Sequence, residues 1–263
     1  MMSGILSPAF LQAAGRAGKG ESVGKIILDT QFADPTISSI SCTGEIQVTT
    51  TKNGAPLVET YSDLDGETLS IQADANTQIV ISGAEITACG IGTNTDYTKI
   101  SVKNTALTEL DCDSCYALAA LDVSKNTALT TLNCNSCHAL AALDVSKNTA
   151  LTELNCNYCY ALTALDVSKN TALTTLTCDD CYALTALDVS KNTALTQLNC
   201  SNCAKLVSIS YPATNSDVST AIAGAITGAT AADGTVYTDS AGAYYSTIAD
   251  AATVKGWTIA PLA

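Results

Sequence analysis

"LDVSKNTALTTLNCNSCHALAA", residues 121–142, decides the fold, because nearly the same 22-residue phrase runs up and down the chain. Asn104, Asn126, Asn148, Asn170 and Asn192 stand 22 residues apart. So do Cys112, Cys134, Cys156, Cys178 and Cys200, and so do Cys115, Cys137, Cys159, Cys181 and Cys203. A fixed period of this length marks a stack of one small structural unit, each copy covering the apolar face of the copy before it. The segment from about Val102 to Leu206 is therefore a tandem array.

Each unit is itself a pseudo-duplicate. From Leu107 it reads "LTELDCDSCYA" and then "LAALDVSKNTA", two halves sharing the pattern L-x-x-L-x-Φ-x-x-(C/N)-x-A. In each half a short triplet alternates apolar and polar residues, as a strand with one buried face does. Leu110 and Cys112 are expected to point inward around Asp111, and Leu121 and Val123 around Asp122. One half buries too little apolar surface to fold alone, whereas stacked coils share a continuous core. The expectation is a mainly β solenoid of 22-residue coils with two short parallel sheets on opposite sides, each coil advancing about 4.8 Å.

The pattern L-x-x-L-x-C-x-x-C resembles the leucine-rich repeat consensus. "LDVSKNTALTTLNC" is more narrowly similar to the leucine-rich repeats of surface proteins from gut Bacteroidetes and related bacteria. The cysteine within the strand resembles the cysteine-ladder variant found among internalins. What the resemblance implies is the leucine-rich repeat fold and recognition at a surface. It names no particular ligand, since the fold hosts many.

Solenoid ends expose apolar surface and need caps. Within residues 23–90, "KIILDT", "SISC", "EIQVTTT", "TLSIQA" and "QIVISGAEITAC" are strand-like through Thr, Ile and Val alternation. This region reads as a β-rich N-terminal cap, preceded by an extended arm over residues 1–22 and followed by the solenoid over 91–211. Cys89 lies 23 residues before Cys112, so an irregular first coil is expected there. After Cys203 the repeat decays and Pro212 ends it. Residues 212–263 read as a small α+β cap: a helix through "DVSTAIAGAI", a strand "GTVYT", a helix through "AGAYYSTIADAATVK" closed by Gly256, and a strand "WTIAPL". Tyr244, Ile248 and Ala251 or Ala252 share one helical face, and Trp257 is the expected core anchor.

Composition excludes several classes of function. The 263 residues are 47% hydrophobic but only 5% aromatic, so the core must be aliphatic and small. A net charge of -13 repels nucleic acid and anionic membranes. No apolar run reaches the roughly 18 to 20 residues of a membrane span. The opening "MMSGILSPAFLQAAGRAGKG" has no basic residue before Arg16 and is broken by Pro8, so it does not read as a secretory signal.

Three roles compete for the Cys-x-x-Cys pairs. Adjacent coils bring four thiols together, which suits tetrahedral zinc, but five equivalent pairs leave one over. Disulfides between coils have a plausible Cα separation, but in-register strands direct equivalent side chains in parallel. In the structural role, the strand cysteine fills the inward slot that consensus repeats give to leucine, and the second cysteine turns the chain inward. Stacked thiols then close a narrow coil that stacked leucines would overpack. Asn126, Asn148, Asn170 and Asn192 are expected to form the matching ladder in the other half, accepting from and donating to loop backbone.

Catalysis is not expected. His138, the only histidine, occupies a repeat position that is tyrosine elsewhere, and neither a P-loop nor a G-x-G-x-x-G opening a helix is present. No cleft is implied for a glycosidase carboxylate pair. Asp179 and Asp180 fall short of the roughly six to eight oxygens calcium takes. No catalytic residue, metal or cofactor is expected.

Function must then lie on the surface. On the "LDVSKN" side the outward residues hardly change: Asp122, Asp144, Asp166 and Asp188 run beside Lys125, Lys147, Lys169 and Lys191, charge columns that compensate each other. The cysteine side varies, and Tyr116, His138, Tyr160, Tyr182 and Ala204 follow its second cysteines as an aromatic column. Candidate ligand-binding residues are Tyr116, His138, Tyr158, Tyr160 and Tyr182, with Asn133, Asn135, Asn155, Asn157 and Asp179. Such a face suits a protein or carbohydrate ligand; the alternative is turn aromatics that only pack on one another. Two functions follow: a recognition module, or a structural component of a larger assembly (a phage virion or surface particle) anchored by residues 1–22. Either places the solenoid at a cell or virion surface.

Overall fold

The computed structural model describes residues 24–30, 33, 35–71, 73–91, 97–103, 106–211, 219–230, 234–238 and 246–261. The expected arm over 1–22, the stop at Pro212 and the placement of Tyr244 lie outside these residues.

The chain opens with β1 (Gly24–Thr30), β2 (Thr36–Lys52), β3 (Ala55–Ser62), β4 (Asp65–Ser70), β5 (Gln78–Gly90) and β6 (Tyr97–Lys103). β2 lies between β5 on one edge and β3 with β4 on the other, all antiparallel. Asn53 and Gly54 join β2 to β3 with φ of 54° and 74°, the two left-handed residues that a tight hairpin turn requires. Their N–H groups both donate to the Asp74 carboxylate at 2.9 Å. β1 runs antiparallel between β5 and β6, and Ile26, Leu28, Ile79, Ile81, Ile100 and Val102 are fully buried in this cap.

Cap and coils are one continuous structure because a cap strand heads each side of the stack. β7 (Glu109–Asp111) pairs in parallel with the end of β5, and β8 (Ala120–Asp122) with β6. The first coil is irregular in a specific way. Cys89 pairs with Leu110, not Cys112, so it occupies the leucine slot. Ile91 takes the strand-cysteine slot, its N–H donating to Asp111 O at 2.6 Å as Cys112 N–H donates to Asn133 O at 2.7 Å.

On the cysteine side β9 (Thr131–Asn133), β10 (Glu153–Asn155), β11 (Thr175–Thr177), β12 (Ala186–Asp188, on the opposite side) and β13 (Gln197–Asn199) follow in chain order. β7, β9, β10, β11 and β13 form an in-register parallel sheet with Leu110, Leu132, Leu154, Leu176 and Leu198 in one row. Hydrogen bonds continue past the triplets: Ser114 N–H donates to Asn135 O and Ser136 N–H to Asn157 O, both at 2.8 Å. A threonine ladder borders this sheet, Thr130, Thr152 and Thr174 each donating Oγ1 to the threonine carbonyl one coil back at 3.0–3.1 Å.

The "LDV" side is looser. Between its ends only isolated bridges link Leu143 to Leu165 and Asp166 to Asp188. Its inter-coil bonds stretch to 3.3 Å (Thr163 N–H to Ala141 O) and 3.4 Å (Thr185 N–H to Thr163 O), against 2.9 Å for Thr152 N–H to Thr130 O. The central column explains the contrast. Here it is four aspartates in register, and like charges across neighbouring strands repel. On the cysteine side it is Asp111, Asn133, Asn155, Thr177 and Asn199, tied across coils by Asn133 Nδ2 to Asp111 (2.9 Å) and Thr177 Oγ1 to Asn155 (2.8 Å). Compensation on the aspartate side comes first from serine. Hydrogen bonds from Ser146 and Ser168 hold Asp144 and Asp166 below the usual carboxylate value, with Lys147 and Lys169 adding less.

The buried asparagines form the expected second ladder, but as donors. Asn170 Nδ2 reaches Val145 O at 3.0 Å and Asn148 O at 2.8 Å; Asn148 and Asn192 repeat both bonds one coil away. The Oδ1 atoms of Asn148, Asn170 and Asn192 find no partner among the described residues, which corrects the expectation that they also accept. Two carbonyls one coil back fix the amide plane and use both donors of the amide.

β14 (Ser208–Tyr211), α1 (Ser219–Gly228), β15 (Thr235–Thr238), α2 (Ser246–Lys255) and β16 (Thr258–Pro261) close the chain. The strands extend the "LDV" side in parallel, with Leu187, Ile209, Val236 and Ile259 in one row. Helices alternate with them, so the stack continues with a helix where the cysteine-side strand would stand. α1 lies against the last cysteine turn: Cys200 Sγ reaches Ala221 O at 3.7 Å, and Thr230 N–H donates to Ala204 O at 2.7 Å. Ile248, Ala251 and Ala252 are buried on α2, and Trp257 is 5% exposed. Gly234 is required beneath that indole, because a Cβ there would lie 2.2 Å from it. No helix among the described residues is long and apolar enough to cross a membrane.

Candidate functional site: the outer face of the cysteine side

Each coil reaches this face through the turn between its two cysteines. Cys115 N–H bonds back to Cys112 O at 3.2 Å, and the residue just before the second cysteine takes a left-handed conformation: Ser114, Ser136, Tyr158, Asp180 and Asn202, all with φ between 56° and 58°. That reversal sends the second cysteine inward and the next residue outward. All twelve cysteines are buried free thiols. The second thiol donates to the carbonyl of the first cysteine one coil back: Cys137 to Cys112 (3.3 Å), Cys159 to Cys134 (3.2 Å), Cys181 to Cys156 (3.1 Å) and Cys203 to Cys178 (3.2 Å). The cysteines are thus a structural ladder with a hydrogen-bonding function.

Their chemistry is suppressed accordingly. Burial pushes Cys89 up to about 12, and it raises Cys112, Cys159 and Cys200 well above the ordinary thiol value. Cys134, Cys156 and Cys178 are raised first by hydrogen bonds to neighbouring thiols and then by burial. In the last pair the shared hydrogen bond raises Cys178 and lowers Cys203. Thiolate is the reactive form, so the raised thiols of this ladder are held in their unreactive state.

Outside, four rings stack along the turn. Centroids are 4.7 Å apart for Tyr116 and His138, 4.4 Å for His138 and Tyr160, and 5.1 Å for Tyr160 and Tyr182, with interplanar angles of 26°, 18° and 6°. Tyr158 meets Tyr160 edge-on at 6.3 Å. The rings both pack on one another and remain on the surface: Tyr116, Tyr158, Tyr160 and Tyr182 are 38–45% exposed. A hydrogen bond to Asp180 pushes the Tyr182 phenol up to about 12.

The other candidate residues are half-buried and partly committed to the ladder. Asn133 and Asn155 accept the N–H two residues on, at 3.0 and 3.1 Å. Asn135 donates to Asp113, and Asn157 accepts Asp179 N–H at 2.8 Å. Burial, then the charge of Asp180, raises Asp179. Two residues outside the candidate set complete the face. Glu109 and Glu153 are exposed and flank Thr131 around a shallow depression of about 300 Å³, floored by Asp111, Asn133 and Asn155. The signal was present in the repeat, where one position reads Glu, Thr, Glu, Thr, Gln along the stack.

Tyr158 is the strained member. A bulky residue in the left-handed region costs about 1 kcal/mol or more relative to one that favours it, and the equivalent turns use Ser, Asp and Asn. Tyr158→Asn is expected to stabilise the fold by about 0.5 to 1 kcal/mol, read as a rise in the denaturant midpoint at unchanged slope. A lower midpoint would show that the Tyr158–Tyr160 contact outweighs the strain.

No protein-family model matches the chain, and neither does any curated protein sequence. Among solved structures, the functional domain of InlJ from Listeria monocytogenes, described as including a cysteine ladder, is similar at 21% identity, over 73% of this chain and 56% of that one, with a TM-score of 0.25. The chain thus spans little more than half the length of that structure.

Proposed function

We propose that the chain is a non-enzymatic recognition module whose cysteine-side face binds a protein at a cell surface. The observation that carries this reading is the exposed stack Tyr116–His138–Tyr160–Tyr182, since tyrosine-rich patches of this kind are enriched in protein interfaces. Ring geometry separates a protein ligand from a glycan. A sugar stacks on an open ring face, but the inner faces of this column are covered by neighbouring rings 4.4–5.1 Å away. What the column presents is ring edges and phenol oxygens beside half-buried asparagines. Edges and hydroxyls suit the mixed polar and apolar surface of a protein. The surface setting rests on the resemblance of the repeat to bacterial surface proteins.

The test is a triple variant, Tyr116→Ala, Tyr160→Ala and Tyr182→Ala, compared with the intact protein in capture of extracellular proteins by photocrosslinking from position 136. Both forms should show the same β signature in circular dichroism, and only the intact protein should retain its partner. A partner kept by the triple variant, or displaced by free oligosaccharide, would overturn the reading.

A further inference from the structure

The two sides of the solenoid carry charge in opposite ways. On the "LDV" side every aspartate has its lysine three residues on, from Asp122 and Lys125 to Asp188 and Lys191. On the cysteine side, residues 109–116, 131–138, 153–160, 175–182 and 197–204 hold no lysine or arginine at all. They hold six carboxylates: Glu109, Asp111, Asp113, Glu153, Asp179 and Asp180. Asp111 and Asp113 spend oxygens on Asn133 and Asn135. The side-chain carboxylates of Glu109 and Glu153 have no hydrogen bond or ion pair among the described residues, and both residues line the depression over Thr131.

Resting on the protein-recognition reading above, we propose that this face docks a cationic protein segment, with an arginine side chain seated between Glu109 and Glu153 and the chain continuing along the tyrosine column. Three observations converge on that partner. The sheet face has an uncompensated negative charge, which selects a positive partner and speeds its encounter. The depression sits between two unpaired carboxylates two coils apart, one on either side of a short threonine, and a guanidinium meets carboxylates through paired, planar donors. The neighbouring column offers exposed aromatic surface for the aliphatic stem and flanking residues of the same segment.

The probe is a fluorescein-labelled ten-residue peptide alternating Arg and Ser, with a Glu–Ser peptide as its counterpart, measured by anisotropy on the full chain at low and physiological salt. The Arg peptide is expected to bind, more weakly at the higher salt, and the Glu peptide not at all. Neutralising the face with Glu109→Gln, Asp111→Asn and Glu153→Gln should weaken binding roughly tenfold or more, whereas the equal charge change Asp122→Asn, Asp144→Asn and Asp166→Asn should cost less than about twofold. Equal losses in the two triple variants would reduce the effect to net charge and overturn the proposal. Absence of Arg-peptide binding would overturn it too. If the partner captured by the intact protein is lost on ring removal but unaffected by neutralising Glu109, Asp111 and Glu153, face recognition stands and the cationic partner falls. If it is insensitive to both changes, both fall.

Discussion

Raising the pH to about 10 is expected to unfold this protein, because its folded state cannot ionise thiols that the unfolded chain ionises freely. Seven cysteines, Cys89, Cys112, Cys134, Cys156, Cys159, Cys178 and Cys200, are raised above the ordinary value of 9.0, and Cys89 reaches about 12. Each is a neutral acid whose folded pKa exceeds its unfolded one, so at alkaline pH the unfolded state binds fewer protons. The thiols' contribution is fully present below 9.0 and is lost progressively as pH rises above it. One unit higher, each such thiol withdraws on the order of 1 kcal/mol, and although the lowered Cys203 acts in the opposite sense, several kcal/mol are withdrawn in all. That rivals the roughly 5–15 kcal/mol that holds a typical domain together. Circular dichroism followed from neutral pH upward with reductant present should show a cooperative loss between about pH 9.5 and 10.5, recovered on return to neutrality. A fold that persists at about pH 11 would mean that the ladder thiols ionise in place.

The second large effect is expected from Asn170→Ala. The side chain is fully buried, and its Nδ2 donates to two carbonyls, Val145 O and Asn148 O, which belong to the preceding coil. Removing it costs two buried hydrogen bonds at about 0.5–1.5 kcal/mol each, although Val145 O keeps the Asn148 N–H and Asn148 O the Leu151 N–H, both at 3.0 Å. The orphaned Oδ1 of Asn170 disappears with the side chain, which offsets part of that, while the space it leaves adds to the cost, so the expected loss is about 1–3 kcal/mol. For a chain of this size the melting temperature should fall by roughly 3–10 °C. Because neighbouring coils supply each other's stability, a defect in a central coil weakens both flanks. Lys147→Ala, on the exposed charge column, should change stability by less than about 0.5 kcal/mol. Similar effects from the two substitutions would remove the asparagine ladder as a source of stability.

What could be read without the structure follows from how repeats work. In a stacked coil, sequence period and spatial register are the same quantity, so the 22-residue spacing of Cys112 and Cys134 already places Leu110 beside Leu132. The failures lie where that identity breaks. Cys89 invites alignment with Cys112, but the first coil is one residue shorter when counted from the leucine row, and the thiol lands in the slot of Leu110. β3 is signalled by Asn53-Gly54, a hairpin turn between two strand-like runs, and lies outside the repeat period. The parallel order of the closing strands was not legible, because nothing local in "GTVYT" says which strand lies beside it. Only the helix between it and β14 forces the crossover. On the face, the column Tyr116–His138–Tyr160–Tyr182 was visible as a repeat position. Whether its rings would stack or lie open depends on turn geometry, and stacking decides which ligand chemistry the column favours. Glu109 and Glu153 stand at an outward position that varies along the repeat, but their shared depression depends on the short Thr131 between them.

The most direct test of the cysteine ladder is a thiol count with an aromatic disulfide reagent, on protein prepared without reductant, before and after unfolding. Native protein at neutral pH is expected to leave all its thiols unreacted on the timescale of a free cysteine's reaction, and the unfolded chain to yield twelve. Fast-reacting thiols in the native state, or fewer than twelve after unfolding, would contradict a ladder of buried, hydrogen-bonded free cysteines.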